Sequence, residues 1–185
     1  TVGTVMDHLE IKIIDESGEV VERGIPGELC TRGYSVMLRY WNDEAQTKEV
    51  LDEDGWMHSG DIGIMDEEGF VQITGRIKDL IIRAGENISP KYVEDFIYTH
   101  PNVVLVQVVG VPSEKYGEEV MAWIKLRQDS ALTEEEVIAF CKDGLPHFMQ
   151  PKYVRFTDSF PSTVSGKIRK DLLRKQSIEV LFGVK

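Results

Sequence analysis

The side chains best suited to chemistry on a charged substrate lie in four short polar segments. These segments are residues 58–61, 75–76, 83–87 and 162–167. Asp61, at the entry to a predicted hairpin, has the carboxylate that accepts hydrogen bonds from the vicinal hydroxyls of a ribose. An aspartate in such a turn more often bonds its own backbone, so both interpretations of Asp61 stay open.

The other segments offer two cations and a tight turn. Arg76 suits a ribose or phosphate oxygen, although a surface arginine on an acidic domain is the simpler alternative. Gly85 permits a positive φ or the close approach of another backbone. Lys167 follows small residues and precedes a predicted helix, in a loop that lacks the first glycine of a P-loop. It is therefore either an exposed lysine in a basic tail or a mobile cation for a developing negative charge.

Short strands and turns dominate the chain before residue 78. Strands at 62–65 and 70–74 flank a turn of acidic residues and glycine, which is typical of a β-hairpin. One helix is predicted at 43–50, with Asn42 as its N-cap. The first part of the chain is therefore mostly β-structure.

Strands and helices alternate after residue 78. The predicted elements are a helix at 90–99, strands at 103–111 and 120–126, a helix opened by a capping box at 133–136, a strand at 153–156 and a helix at 168–176. Glu118 and Glu119 are expected to keep the connection before the second strand exposed to solvent. With one strand before the helix at 90–99, the order is βαββαβα, which indicates a small α+β domain.

The charge of the chain changes at the segment 75–90, which reads GRIKDLIIRAGENISP. Residues 1–77 carry 6 basic and 17 acidic side chains, whereas residues 78–185 carry 15 of each. A composition break at a polar segment flanked by glycine is typical of a domain boundary. The sequence therefore predicts two domains, 1–77 and 78–185, with a hinge near Lys78.

The composition excludes several classes of protein. A net charge of −11 argues against nucleic-acid binding, and no apolar run has the length of a membrane span. No signal peptide opens the chain, and Cys30 and Cys141 have no metal-ligand spacing, so a reducing, cytoplasmic location is expected. No metal site is predicted.

Taken together and in this order, the motifs resemble the acyl-adenylate-forming superfamily, which contains acyl-CoA synthetases, luciferases and the adenylation domains of peptide synthetases. The matching blocks are GELCTRGYSVMLRYW, GWMHSGDIG, GFVQITGRIKDLIIRAGENISP, VVGVPSEKYGEEV and PSTVSGKIRK. IIRAGENISP and HFMQPKY are similar to fatty-acid:CoA ligases of the medium-chain, family-member-2 type. The resemblance covers nearly the whole chain.

The resemblance implies a reaction in two steps. A carboxylic acid, such as a fatty acid, attacks ATP and gives an acyl-adenylate and pyrophosphate; the thiol of coenzyme A then displaces AMP. Asp61 corresponds to the ribose-binding acid, Arg76 to the adjacent ribose contact and Lys167 to the lysine of the adenylation step. Lys78 takes the hinge position, about which a mobile lid domain would swing between the two steps.

For the second step the resemblance implies contacts to coenzyme A. The residues at the corresponding positions are Ala84, Gly85, Tyr116, Phe148 and Lys152. The sequence departs from the family at residues 83–85, where Arg-Ala-Gly stands in place of a common Gly-Gly pair, and at Gln150, where some relatives have a basic residue.

The phosphate-binding loop, the adenine motif and the acyl pocket of the superfamily have no counterpart in these 185 residues. The chain is therefore expected to be the C-terminal portion of a larger enzyme: the β-rich end of a large N-terminal domain, followed by the lid. The portion alone is not expected to be active, and the ligands of the Mg²⁺ that accompanies ATP are expected elsewhere.

Two alternatives stay open. One is an adenylating enzyme that loads the phosphopantetheine of a carrier protein, which differs in its acceptor from a ligase that uses free coenzyme A. The other is a non-catalytic module that retains the fold. The presence of Asp61, Arg76 and Lys167 together argues against a pure scaffold. The oligomeric state is not predicted.

Overall fold

The computed structural model describes residues 1–183 and divides into two compact units. The first unit is Thr1–Lys78 and the second is Asp79–Lys185, of which residues 184 and 185 lie outside the described residues. The predicted domain boundary preceded Lys78, whereas the structure places Lys78 as the last residue of the first unit. No helix within residues 1–183 is long and apolar enough to cross a membrane.

The first unit is built on a four-stranded antiparallel sheet. Its strands are β1 (Leu9–Ile14), β2 (Gly27–Gly33), β3 (Met57–Met65) and β4 (Val71–Arg76), in the order β1-β2-β3-β4. Each strand pairs with the one before it in sequence, so the sheet is a meander. The helix α1 (Glu44–Val50) lies in the connection between β2 and β3.

The predicted cap of α1 was wrong by one residue. The N-cap is Asp43, whose Oδ1 accepts a hydrogen bond from the backbone N–H of Gln46 at 2.9 Å. Asn42 instead has a φ of +53°, a left-handed conformation that asparagine adopts more readily than most residues. The side chain of Asp43 therefore begins the helix one position later than predicted.

The strand β3 is longer than the predicted hairpin strand. It begins at Met57, so residues 58–61 lie within the sheet and not in a turn before it. The register between β3 and β4 shifts at Ile62 and Gly63, and Gly60 has a φ of +68°. A bulge of this kind bends a strand and redirects its side chains.

The second unit contains a five-stranded sheet and three helices. Its strands are β5 (Ile81–Arg83), β6 (Glu86–Ile88), β7 (Val103–Ser113), β8 (Gly117–Leu126) and β9 (Tyr153–Phe156). Its helices are α2 (Pro90–Tyr98), α3 (Glu134–Gly144) and α4 (Lys170–Phe182). The order is β6-β5-β8-β7, and β9 pairs with β8 in parallel. The predicted α+β class is confirmed.

Two short strands precede α2, where one was predicted. The turn between β5 and β6 contains only Ala84 and Gly85, with φ values of +54° and +87°. Positive φ at both central residues is the requirement of a type I′ turn, which matches the twist of a two-stranded hairpin. The observed order is therefore ββαββαβα.

Two apolar clusters fill this unit. The larger contains Val93 and Ile97 of α2, Val137 and Cys141 of α3, and residues of the sheet. The smaller contains Leu173 of α4 packed with Trp123, whose indole Nε1–H donates to Ser177 Oγ at 2.8 Å. A sheet with helices against it buries its apolar residues in this way.

The predicted start of α4 was wrong. The helix begins at Lys170 because the residues before it are held in a different arrangement. Ser162 and Ile168 form a β-bridge, and the backbone N–H of Arg169 donates to the carbonyl of Pro161 at 2.8 Å. In contrast, the capping box of α3 was predicted correctly: Thr133 and Glu136 each accept a hydrogen bond from the backbone of the other.

Candidate functional site

Asp61 and Arg76 form an ion pair across β3 and β4. They are opposite each other in the register of these antiparallel strands, and Arg76 Nε donates to Asp61 Oδ1 at 2.8 Å. The Asp61 side chain is 27% exposed, so the pair faces solvent in part. Asp61 therefore bonds a cation through its carboxylate, and the structure brings together the two residues that the resemblance assigns to a ribose.

The segment before Asp61 is fixed to β2 by two hydrogen bonds. Ser59 Oγ donates to the carbonyl of Leu29 at 2.6 Å, and the backbone N–H of Gly60 donates to Glu28 Oε1 at 3.0 Å. The N–H of Asp61 donates to Ser59 Oγ at 3.1 Å. These bonds hold the backbone around Asp61, so its carboxylate is presented from a rigid element.

His58 is the centre of a cluster that was not predicted. Its Nδ1 lies 3.0 Å from Glu28 Oε2 and 3.6 Å from Cys30 Sγ, and its Nε2 lies 3.6 Å from Asp52 Oδ2. Burial and then the nearby Glu28 carboxylate raise the pKa of the Cys30 thiol to about 11. The thiol is therefore protonated near neutral pH when nothing displaces its proton.

A buried ion pair lies at the start of the second unit. Arg83 Nε donates to Glu119 Oε2 at 2.6 Å, and the Glu119 side chain is only 2% exposed. The expectation that Glu119 faces solvent was therefore wrong. The carboxylate of Glu119 can be buried because it is paired with the Arg83 guanidinium. Buried charges in proteins are usually paired in this way.

Arg83 also contacts residues that the resemblance assigns to coenzyme A. Its Nη1 donates to the carbonyl of Phe148 at 3.4 Å, and its guanidinium carbon lies 4.7 Å from the centre of the Tyr116 ring. The backbone N–H of the neighbouring Ala84 donates to the carbonyl of Tyr116 at 2.8 Å. Arg83 therefore links the β5–β6 turn to two other segments.

The carboxylate of Glu119 has a second cation beside it. Lys152 Nζ lies 3.4 Å from Glu119 Oε1 and 5.2 Å from the centre of the Tyr153 ring. A hydrogen bond to Tyr153, together with the charge of Glu119, raises the pKa of Lys152. A hydrogen bond from Lys115 lowers the pKa of Tyr116. The five predicted coenzyme A residues thus lie in segments that surround Arg83 and Glu119.

Lys167 lies in an exposed loop whose backbone is well defined by hydrogen bonds. The N–H of Thr163 donates to the carbonyl of Lys167 at 2.8 Å, and the N–H of Lys167 donates to Thr163 Oγ1 at 3.1 Å. Gly166 has a φ of +83°, which closes the turn. The loop therefore presents the Lys167 side chain to solvent from the second unit, whereas Asp61 and Arg76 belong to the first.

The remaining predicted residues have simple surroundings. Lys78 is exposed and lies in the short 3₁₀ turn Ile77–Asp79, at the boundary of the two units. Gly85 is exposed, and no atom lies within 4 Å of the position that a Cβ would take. Gly85 therefore has room for a neighbouring group to approach its backbone.

Arg83 and Glu119 are the residues of this site that the sequence did not reveal. Residues 119–124 of β8 are all buried, so the strand lacks the alternation that would separate an inward from an outward acid. The available signal was the replacement of a common glycine pair by a segment that begins with Arg83. A cation introduced beside a turn requires an acidic partner when it is buried.

Comparisons with known proteins add independent evidence. The family described as AMP-binding enzyme matches residues 1–41, and the family described as AMP-binding enzyme C-terminal domain matches residues 92–167. The medium-chain acyl-CoA ligase ACSF2 of Bos taurus, a mitochondrial protein, is 51% identical over 177 residues. That match covers 95% of this chain and 29% of the ligase.

Solved structures give the same relationship. The crystal structure of ATP-bound MatB from Rhodopseudomonas palustris superposes with a TM-score of 0.91 at 34% identity, over 96% of this chain and 36% of that one. The amide bond synthetase McbA from Marinactinospora thermotolerans has a TM-score of 0.88 at 35% identity, over 95% and 36% respectively. The chain spans about a third of the length of the curated relatives it matches.

Proposed function

We propose that the chain belongs to the AMP-binding enzymes, whose two family models match residues 1–41 and 92–167, and that it serves an ATP-dependent acyl-CoA ligase. In the first step, a carboxylate oxygen attacks the α-phosphate of ATP and pyrophosphate leaves. In the second step, the thiol of coenzyme A attacks the acyl carbon and AMP leaves, while the thiol proton passes to solvent. The products are an acyl-CoA, AMP and pyrophosphate.

The ion pair between Asp61 and Arg76 is the observation that carries this proposal. A carboxylate accepts both donors of a ribose diol, and the guanidinium beside it offers further donors to ribose or phosphate oxygens. Because the pair is formed across two paired strands, its geometry is fixed before any nucleotide binds.

Lys167 is proposed to act in the adenylation step. This step brings a carboxylate and the α-phosphate together, and both are anions that repel each other. An ammonium placed between them stabilises the charge that builds up in the transition state. An exposed lysine on a loop of the second unit suits a group that is needed in one step and withdrawn in the other, with Lys78 as the proposed hinge.

The segments around Arg83 and Glu119 are proposed to receive coenzyme A. Ala84 and Gly85 form a narrow turn with open space at Gly85, which suits a slender pantetheine arm. Lys152 lies beside Glu119 and the ring of Tyr116 lies beside Arg83, and both are proposed to contact the nucleotide end of the cofactor. The guanidinium of Arg83 is already engaged by Glu119, so it shapes this surface and leaves phosphate binding to other cations.

The finer features of the substrate are also proposals. A fatty acid is the proposed carboxylate, since the bovine relative is a medium-chain acyl-CoA ligase. ATP is proposed to react as its Mg²⁺ complex, because a metal ion neutralises phosphate charge as pyrophosphate leaves. The cytoplasmic location inferred from the two free cysteines stays a proposal that cell fractionation tests.

A domain-exchange experiment tests the function of this chain directly. The segment of the bovine medium-chain ligase that matches residues 1–185 is replaced by this chain, and the exchange of pyrophosphate into ATP is measured with a medium-chain fatty acid. We expect exchange, followed by thioester formation with free coenzyme A. Lys167→Ala should slow the exchange by about 10²–10³-fold, the typical loss for one transition-state donor.

The control is Lys175→Ala, which removes an exposed lysine of α4 and should leave the exchange unchanged. Thioester formation from supplied acyl-adenylate should survive in Lys167→Ala. A cooperatively folded hybrid without exchange, beside an active bovine enzyme, would support the non-catalytic module. Transfer to a carrier protein but not to free coenzyme A would support the carrier-loading alternative.

A further inference from the structure

The side chains of Glu28, Cys30 and His58 form a compact donor cluster on the first sheet. Cys30 and His58 are opposite each other in the register of β2 and β3, so their side chains lie on the same face. Glu28 lies two residues before Cys30 on β2, so its side chain is on the same face of the sheet. One atom of each side chain, namely a carboxylate oxygen, Sγ and a ring nitrogen, lies within 4.8 Å of the other two.

The two distances from His58 Nδ1 are close to those between ligands of one metal ion. Zinc binds sulfur at about 2.3 Å and nitrogen or oxygen at about 2.0–2.2 Å, which sets tetrahedral neighbours roughly 3.3–3.7 Å apart. His58 Nδ1 is 3.6 Å from Cys30 Sγ and 3.0 Å from Glu28 Oε2. The third distance, between Cys30 Sγ and the carboxylate oxygen of Glu28, is no more than 4.8 Å, so an ion held by all three atoms would draw these side chains together around the position that a proton on Nδ1 would take.

The donor set selects the class of metal. A thiolate and an imidazole favour zinc, cobalt and other borderline or soft ions, whereas magnesium and calcium prefer oxygen ligands throughout. Asp52 Oδ2 lies 3.6 Å from the other ring nitrogen of His58, in the place of the carboxylate that orients a metal-binding histidine. We propose that Glu28, Cys30 and His58 bind a divalent transition metal of the zinc class.

The site is closed on one side and open on the other. Cys30 is fully buried, while the side chains of His58 and Glu28 are 29% and 19% exposed. An ion therefore enters from the side of His58 and keeps a coordination position for water. Glu28 binds the ion through Oε2 and keeps Oε1 for the N–H of Gly60, so that occupancy stabilises the strand that carries Asp61.

A titration of the reduced 185-residue protein with cobalt(II) tests this site. Cobalt bound to a thiolate gives a sulfur-to-metal charge-transfer band in the near ultraviolet, which histidines elsewhere in the chain do not produce. We expect this band with one equivalent of metal, and we expect zinc to displace it. We also expect both ions to raise the melting temperature.

Cys30→Ser should abolish the band, and Glu28→Gln should weaken binding by at least about 10–100-fold, the usual loss on removing even an outer partner of a ligand. Cys141→Ser is the matched control, since Cys141 is also buried but belongs to the second unit, and it should leave the band intact. Absence of the band in the unsubstituted protein overturns the proposal. So does a band that persists in Cys30→Ser, or unchanged affinity in Glu28→Gln, a variant that retains the thiol and the imidazole.

Discussion

The Arg83 guanidinium shows how one side chain organises several segments. It contacts a buried carboxylate, an aromatic ring and a backbone carbonyl, which come from β8, the connection before it and the segment before β9. Because both charges are largely removed from water, their pairing compensates a large desolvation cost. The pair therefore affects stability more than an exposed pair does.

Substitution of Glu119 by alanine should destabilise the second unit strongly. The change leaves the charge of Arg83 buried without its carboxylate, and breaking a buried pair from one side costs roughly 3–5 kcal/mol. Urea denaturation followed by circular dichroism measures the change in the free energy of unfolding. The control is Asp171→Asn, which breaks the exposed pair with Arg169 and should leave the midpoint unchanged. Equal effects of the two substitutions would show that burial of Glu119 does not matter.

At the scale of residues, the sequence singled out candidate side chains for the chemistry, whereas the side chains that hold them in place were not apparent. Asp61 and Arg76 were recognised by type and motif, and the structure pairs them. Glu119 was misjudged because two adjacent acids give no sign of which one is buried. His58, Cys30 and Glu28 were not grouped because their proximity depends on strand register, which is not visible in sequence spacing.

At the scale of elements, the β5–β6 hairpin is the most constrained part of the proposed coenzyme A site. Its two turn residues both have positive φ, a conformation that costs an L-residue about 1–2 kcal/mol and glycine almost nothing. Ala84 therefore carries backbone strain that Gly85 does not. A strained turn is stable here because its neighbours, including the bond from Ala84 N–H to Tyr116, fix its geometry.

Gly85→Ala and Ala84→Gly should change the free energy of unfolding by different amounts. Gly85→Ala should lower the free energy of unfolding by about 1–2 kcal/mol through backbone strain alone, since the added Cβ meets no atom within 4 Å. Ala84→Gly relieves the backbone strain of the folded state, but it also increases the conformational entropy of the unfolded chain. The two effects oppose each other, so the free energy of unfolding should change by less than about 1 kcal/mol. Thermal melts of both variants measure the difference. Equal losses would show that the turn does not have these φ values.

The sequence predicted most elements because they have local signals. The apolar run at 103–111, the capping box at Thr133 and the serine-proline pair before α2 each act within a few residues. The errors occurred where the bounds of an element depend on contacts with other segments or on backbone conformation. The start of α4 depends on the hydrogen bond from the N–H of Arg169 to the carbonyl of Pro161. The second strand of the β5–β6 hairpin depends on positive φ values at both turn residues, which the sequence does not reveal.

At the scale of the whole molecule, the two units differ in how much apolar surface they bury. Among the described residues, 23 hydrophobic side chains are buried, and only four of them belong to the first unit: Ile13, Ile14, Cys30 and Val71. The first unit also carries the excess of acidic residues in the chain. Burial of apolar surface is the main favourable term in folding, so the second unit has most of the stabilisation.

The two units should therefore behave differently when separated. A polypeptide of residues 79–185 has two apolar clusters and about a hundred residues, which is enough for a domain that folds alone. A polypeptide of residues 1–78 has four buried apolar side chains and repulsion among its acids, so we expect no cooperative transition. Urea and thermal unfolding of each, followed by circular dichroism, measure this. A cooperative melt of residues 1–78 alone would contradict the expectation, and zinc-dependent recovery of such a melt would instead identify the metal as its missing stabilisation.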